Sequence, residues 1–324
     1  MRAREGFHTA PDGKELKLYS WEPARERARG VVQIAHGMAE HARRYERVAA
    51  ALTSRGFAVV ANDHRGHGQT DPQALGQFAG EDAFHRMADD IASLHAELGE
   101  RYPGAPRWLF GHSMGAALVL RAAGLRGLSP SGLIISGPPG GPRAPLVAMA
   151  VLSRVAGGVL GEAGMSPGID ALWSAPAKLK FRPRRTPFDW LSGDPAEVDA
   201  YARDPACGFV FTRAFYRDLF RGILAAFSRE NIRKLSEASP VYVFAGKADP
   251  VGFSGAAAER IARELGRAGV PCTLRLYDGG RHEMLNDVQR EAVTAELLAW
   301  LERSAAGAGA GDAPAGEGGH GPVA

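Results

Sequence analysis

The stretch from Trp108 to Leu118 reads WLFGHSMGAAL: a short apolar run, then Gly111-His112-Ser113-Met114-Gly115, then residues that favour a helix. The middle five fit G-x-S-x-G. Alone the pattern is weak in a chain with 41 glycines among 324 residues. Its setting gives it force, because a strand that turns sharply into a helix lifts a serine hydroxyl clear of the backbone. Gly111 and Gly115 remove the Cβ atoms that would collide in so tight a turn. The helix that follows, expected over residues 114–126, points its positive end at Ser113 and favours negative charge there.

A serine hydroxyl needs a base to take its proton. Behind such an elbow the acid and then the base follow later in the chain. His282 is the expected base: it follows the apolar run at 272–277 and the flexible Asp278-Gly279-Gly280-Arg281. The other late histidine, His320, lies in a Gly/Ala/Pro-rich tail. Asp249 leaves the run VYVFA (241–245) through Gly246-Lys247-Ala248 and is the expected acid, with Asp278 as competitor. A tetrahedral intermediate also needs two backbone N–H donors. Met114, after the nucleophile, should supply one, and Met38, in His36-Gly37-Met38-Ala39-Glu40-His41, the other. The Met38 and Met114 thioethers fit either an apolar acyl pocket or ordinary core gaps.

Outward from this centre the chain alternates. Gly6 to Trp21 reads as a hairpin about Pro11-Asp12-Gly13. Short runs at 30–35, 57–61, 108–110, 133–135, 241–245 and 272–277 read as buried strands. Segments 44–54, 81–101, 114–126, 255–267 and 289–303 carry apolar residues three and four apart, the helical period. Such alternation predicts an α/β protein with a parallel sheet covered on both faces and ligands at the carboxyl ends of its strands. Residues 138–237 break the pattern with helical segments and a basic loop, and read as a helical cap inserted into a core of residues 1–137 and 238–303. Residues 304–324 lack the apolar content to offset ordering entropy and read as a disordered tail. The apolar residues between Leu146 and Leu160 fit an acyl tunnel, a transient membrane contact or a helix buried on the core; the nearby Arg182, Arg184 and Arg185 fit anionic headgroups or a solvated loop.

Composition sets further bounds. Lys and Arg number 39 against 36 Asp and Glu, too even a balance to argue for nucleic acid. Cys207 and Cys272 make no disulfide framework or CxxC metal motif, and read as free thiols in a reducing, cytoplasmic setting. No signal peptide is recognised, and the apolar stretch at 144–161 is interrupted by Arg154. His36, His41, His64 and His67 invite a metal reading, but no HExxH or His-x-His plus carboxylate set accompanies them. No metal or cofactor is expected. Asn62-Asp63-His64-Arg65-Gly66-His67-Gly68 is expected to brace the site through hydrogen bonds.

HGMAEH (36–41), NDHRGHGQT (62–70), GHSMG (111–115), GKADP (246–250) and GGRHEMLND (279–287) together resemble the monoacylglycerol lipase and lysophospholipase branch of α/β-hydrolases, a group often labelled serine aminopeptidase-like. The resemblance runs from about Phe7 to Leu301. It implies a mostly parallel eight-stranded sheet and a carboxylic ester hydrolase with a small-molecule lipid or ester substrate. It also implies a catalytic set of Ser113, Asp249 and His282 acting through an acyl-enzyme. Relatives often carry glycine where this chain has Ala39. Segment 191–209 also looks like the cap of bacterial relatives. A prolyl aminopeptidase would need cap carboxylates, for which Glu162, Asp170, Asp194 and Glu197 are available. A non-catalytic binding scaffold is the remaining alternative.

Overall fold

The computed structural model describes residues 1–25, 27–78, 82–124, 128–140, 142–235 and 239–310. The opening hairpin forms from β1 (Arg2–Thr9) and β2 (Glu15–Glu22), with Gly13 at φ 82° in its turn. Six more strands follow: β3 (Val31–Ala35), β4 (Ala58–Asn62), β5 (Arg107–His112), β6 (Gly132–Ser136), β7 (Val241–Gly246) and β8 (Cys272–Tyr277). They make one eight-stranded sheet in the order β1-β2-β4-β3-β5-β6-β7-β8. The β1–β2 and β2–β4 pairings are antiparallel and the rest parallel. Every residue of β3, β4 and β6 is buried, as in strands covered on both faces.

Helices α1 (Glu46–Ser54), α2 (Ala83–Arg101) and α3 (Met114–Ala123) accompany the first half of the sheet. The insertion between β6 and β7 holds α4 (Arg143–Leu160), α5 (Pro167–Lys180), α6 (Pro195–Arg203), α7 (Arg213–Ala226) and α8 (Arg229–Ile232). Helices α9 (Ala256–Arg267) and α10 (Arg290–Ala310) close the chain. On one face α1 and α10 pack Val48, Leu52, Leu297 and Leu301 against Val32 and Phe110. On the other, α2, α3 and α9 pack Met87, Leu118 and Ile261 against Leu109, Ile135 and Val243.

Sheet order explains where the site lies. From β3 the chain steps to β4 on one side, then returns to β5 on the other, so β3 and β5 diverge at their carboxyl ends. Such a switch point opens a crevice. Ala35 pairs with Gly111 there, which sets residues 36–41 beside Ser113.

Three boundaries differ from the sequence reading. α3 ends at Ala123, and 125–127 fall outside the described residues. α5 adds a helix to the segments expected within 138–237; it carries Pro176 inside and takes up Lys178 and Lys180 of the expected basic loop. α10 continues through Ser304 to Ala310, in place of a tail from 304; Ser304 Oγ accepts from Trp108 Nε1 at 3.0 Å, and the alanines there favour helix. Residues 311–324 of the expected tail lie outside the described residues. Within the insertion, α7 packs against α2 and α3, and a Cβ on Gly222 would run into the Phe84 ring. The covering part is thus α4 to α6.

Candidate active site

Ser113 stands between β5 and α3 with φ 53° and ψ −117°, in the positive-φ region that L-residues avoid. Its amide donates to Ser136 O at 2.9 Å and its carbonyl accepts from Ala116 N at 2.9 Å, which holds the turn. A Cβ on Gly111 would run into the Gly115 carbonyl, and one on Gly115 into the Ala35 carbonyl. Both glycines are therefore required by close backbone approach.

Asp249, fully buried beyond β7, sets its Oδ2 2.9 Å from His282 Nδ1. Its Oδ1 accepts from Val251 N at 2.8 Å, which fixes the carboxylate plane. Burial opposes charge on His282, but the Asp249 carboxylate outweighs it and holds the imidazole pKa above its ordinary value. The carboxylate occupies Nδ1 and leaves Nε2 for proton transfer. Asp278 makes no such contact: it is exposed and ion-paired to Lys247 at 2.8 Å. The His282 ring lies between His112, at 4.8 Å between centroids, and Trp190, at 5.2 Å. Burial, reinforced by His282, pushes the His112 pKa down to about 4, so His112 stays neutral beside the base.

Ser113 and His282 line one cavity of about 540 Å³. Its walls are mostly apolar, with Met38, Met149, Trp173, Phe188 and Phe209 among them. Met114 is buried in the core beneath, so of the two thioethers only Met38 lines the cavity. The Met114 N–H heads α3 and has no acceptor within its helix. In the neighbouring loop Gly37 N donates to Glu40 Oε1 at 2.5 Å and Ala39 N to His67 Nε2 at 3.3 Å. The amides on either side of Met38 are thus both engaged within the protein. Ala39 itself sits at φ 55°, a conformation that glycine adopts without steric cost.

Buried ionic contacts that the sequence reading missed support this loop. Arg44 makes a two-pronged contact with Glu283 at 2.7 Å each and reaches Glu40 at 2.5 Å. Tyr45 donates to Glu40 at 2.9 Å. Burial raises the Glu283 carboxyl, but Arg44 overrides it and holds the pKa at about 2. The donor loop and the residue after His282 are thereby clamped together. Below them His36, His64 and His67 form a fully buried ring cluster with centroids 4.1 to 6.1 Å apart, and His36 Nε2 accepts from His64 N at 3.0 Å.

The segment before α6 straps onto the His282 loop. Glu283 N donates to Leu191 O at 2.8 Å, Gly193 N to Asp287 at 3.0 Å, and Arg281 to Ser192 O at 2.8 Å. Arg290 pairs with Asp194 at 2.7 Å.

Residues 26–289 match the family described as serine aminopeptidase, S33. The chain is 29% identical to a monoacylglycerol lipase of Mycolicibacterium smegmatis, covering 87% of this chain and 90% of the relative. It is 27% identical to a human monoglyceride lipase, covering 94% and 92%. A solved carboxyl esterase from Bacillus coagulans superposes with a TM-score of 0.85 at 28% identity, over 94% of this chain and 99% of that one. The chain belongs to the serine aminopeptidase S33 family of α/β-hydrolases, in the branch of carboxylic ester hydrolases that resembles monoacylglycerol lipases.

Proposed function

We propose that this enzyme cleaves the ester bond of single-chain glycerides or lysolipids through an acyl-enzyme on Ser113. The observation that carries the reading is the buried Asp249–His282 pair, whose imidazole lines the same apolar cavity as Ser113. His282 Nε2 takes the hydroxyl proton as Ser113 Oγ bonds to the ester carbonyl carbon. The Met38 and Met114 amides hold the oxyanion, while Asp249 stabilises the imidazolium. The C–O bond to the alcohol breaks and His282 returns the proton to the leaving oxygen. Water then repeats the sequence and releases the acid. About 540 Å³ of mostly apolar space suits an acyl chain better than a peptide.

The cap carboxylates weigh against an aminopeptidase. Glu162 pairs with Arg217, Asp194 with Arg290 and Glu197 with Arg47. Asp170 lines the cavity but accepts from Tyr216 at 2.8 Å and faces Lys178 at 3.6 Å. Each is already matched by a cation or donor. The test is a panel of monoacylglycerols, lysophospholipids, a p-nitrophenyl ester and a prolyl-amide, with fluorophosphonate labelling alongside. Ester turnover with labelling at Ser113 is expected. Amide cleavage without ester cleavage overturns the substrate class, and absence of labelling overturns the nucleophile.

A further inference from the structure

Beside the catalytic cavity, three side chains of metal-ligating type meet where the donor loop touches the cap. His41 ends the 36–41 loop, while Asp204 and Cys207 follow α6. One ligand atom from each lies within 4.8 Å of the others, and all three side chains are half-buried. Among the described residues this is the one such group of three or more. His41 Nε2 contacts Asp204 Oδ2 at 2.9 Å, and the other Asp204 oxygen accepts from Ala206 N at 2.8 Å. The turn is further fixed by Cys207 N donating to Asp204 O at 3.0 Å.

We infer that His41, Asp204 and Cys207 form a divalent zinc site that links the cap to the oxyanion loop and slows hydrolysis when filled. An imidazole, a thiolate and a carboxylate are zinc's preferred donors, and water completes a tetrahedron. Tetrahedral zinc sets its donors about 3.5 Å apart, against the 4.8 Å within which these three already lie. Zinc opens the His41–Asp204 contact and replaces it with two bonds to the metal. Zinc displaces the Cys207 thiol proton to solvent as the Zn–S bond forms. Thiolate and carboxylate then neutralise the two positive charges of the ion. Arg44 is the nearby cation, but Glu40 and Glu283 already offset it.

The link to catalysis is short. Gly208 N and Tyr201 OH both donate to Ala39 O, at 2.9 and 2.8 Å, and Ala39 follows the Met38 donor. Gly208, next to Cys207, and Tyr201 also line the catalytic cavity. A metal drawing His41 towards residues 204–207 shifts both ends of that contact.

The test uses the full chain stripped of metal and titrated with zinc against a chromophoric chelator, and separately with cobalt(II). One equivalent should bind. Cobalt should give a near-ultraviolet thiolate charge-transfer band that Cys207→Ser removes. Cys207→Ser and Asp204→Asn should each weaken zinc binding about tenfold or more and shift zinc inhibition of p-nitrophenyl ester hydrolysis by the same factor. Cys272→Ser should change neither. Equal affinity in wild type and Cys207→Ser, loss of binding with His282→Ala instead, or binding without effect on hydrolysis each overturns the proposal.

Discussion

Ser113 carries backbone strain at the point where chemistry is proposed, and its neighbours decide how that strain is used. Ser113→Ala should lower kcat by about a millionfold while the melting temperature holds. Acyl-enzyme trapping with a p-nitrophenyl ester checks this, since the variant should give no burst. His282 must be neutral to act as base, and Asp249 raises its pKa. The acid limb of kcat/KM should therefore lie above pH 6.5, the imidazole's ordinary value. Asp249→Asn should move that limb to lower pH and cut kcat about ten-thousandfold. A limb that stays in place counts against the pairing. The expectation for Ser113, Asp249 and His282 arises because each follows a short apolar strand and sits in a turn of distinctive composition; the fold pairs Asp249 with His282 and sets His282 and Ser113 on one cavity. Ala39 was legible only as a departure from relatives; its positive φ shows what the departure costs locally. Ala39→Gly should leave stability within about 1 kcal/mol of wild type, because relieved strain offsets added chain entropy.

Elements bring together residues that no local pattern connects. Arg44, two residues before α1, meets Glu283 across 239 positions of sequence, and nothing in either neighbourhood announces the pair. Periodicity reports which face of a helix is buried, not which distant carboxylate it meets. Arg44→Gln leaves Glu40 and Glu283 facing each other without their counter-charge, both nearly inaccessible to water. The variant should lose about 3–5 kcal/mol in chemical denaturation. Arg44→Lys should recover part of that, since the charge returns without the two-pronged geometry. α5 escaped the sequence reading for a similar reason: Pro176 argues locally against a helix, but Ile169 and Ala177 are buried on its inner side and hold it in place.

At the scale of the whole molecule a buried cluster and an exposed patch respond to conditions. His36, His64 and His67 are fully buried and neutral; burial sets His64 at about 3 and His67 at about 4. An unfolded chain takes up these protons near pH 6.5, whereas the folded chain refuses them until far lower pH. The unfolded state thus binds more protons in between, and stability falls as pH drops through that range, by about 1.4 kcal/mol per unit per histidine. His64→Phe should flatten the decline in melting temperature between about pH 6.5 and 4.5; an unchanged slope speaks against the cluster as its cause. On the cap, Val151, Val155, Val159 and Leu160 of α4 and Leu172 and Leu179 of α5 are exposed. We propose that this patch rests on lipid. Val155→Ser with Val159→Ser should reduce sedimentation with vesicles and spare turnover of a water-soluble ester. The ladder from residues 190–194 to the His282 loop carries one more implication. Swinging that rung outward would drag the imidazole off its carboxylate. While Asp249 and His282 stay paired, that half of the roof is therefore bolted down.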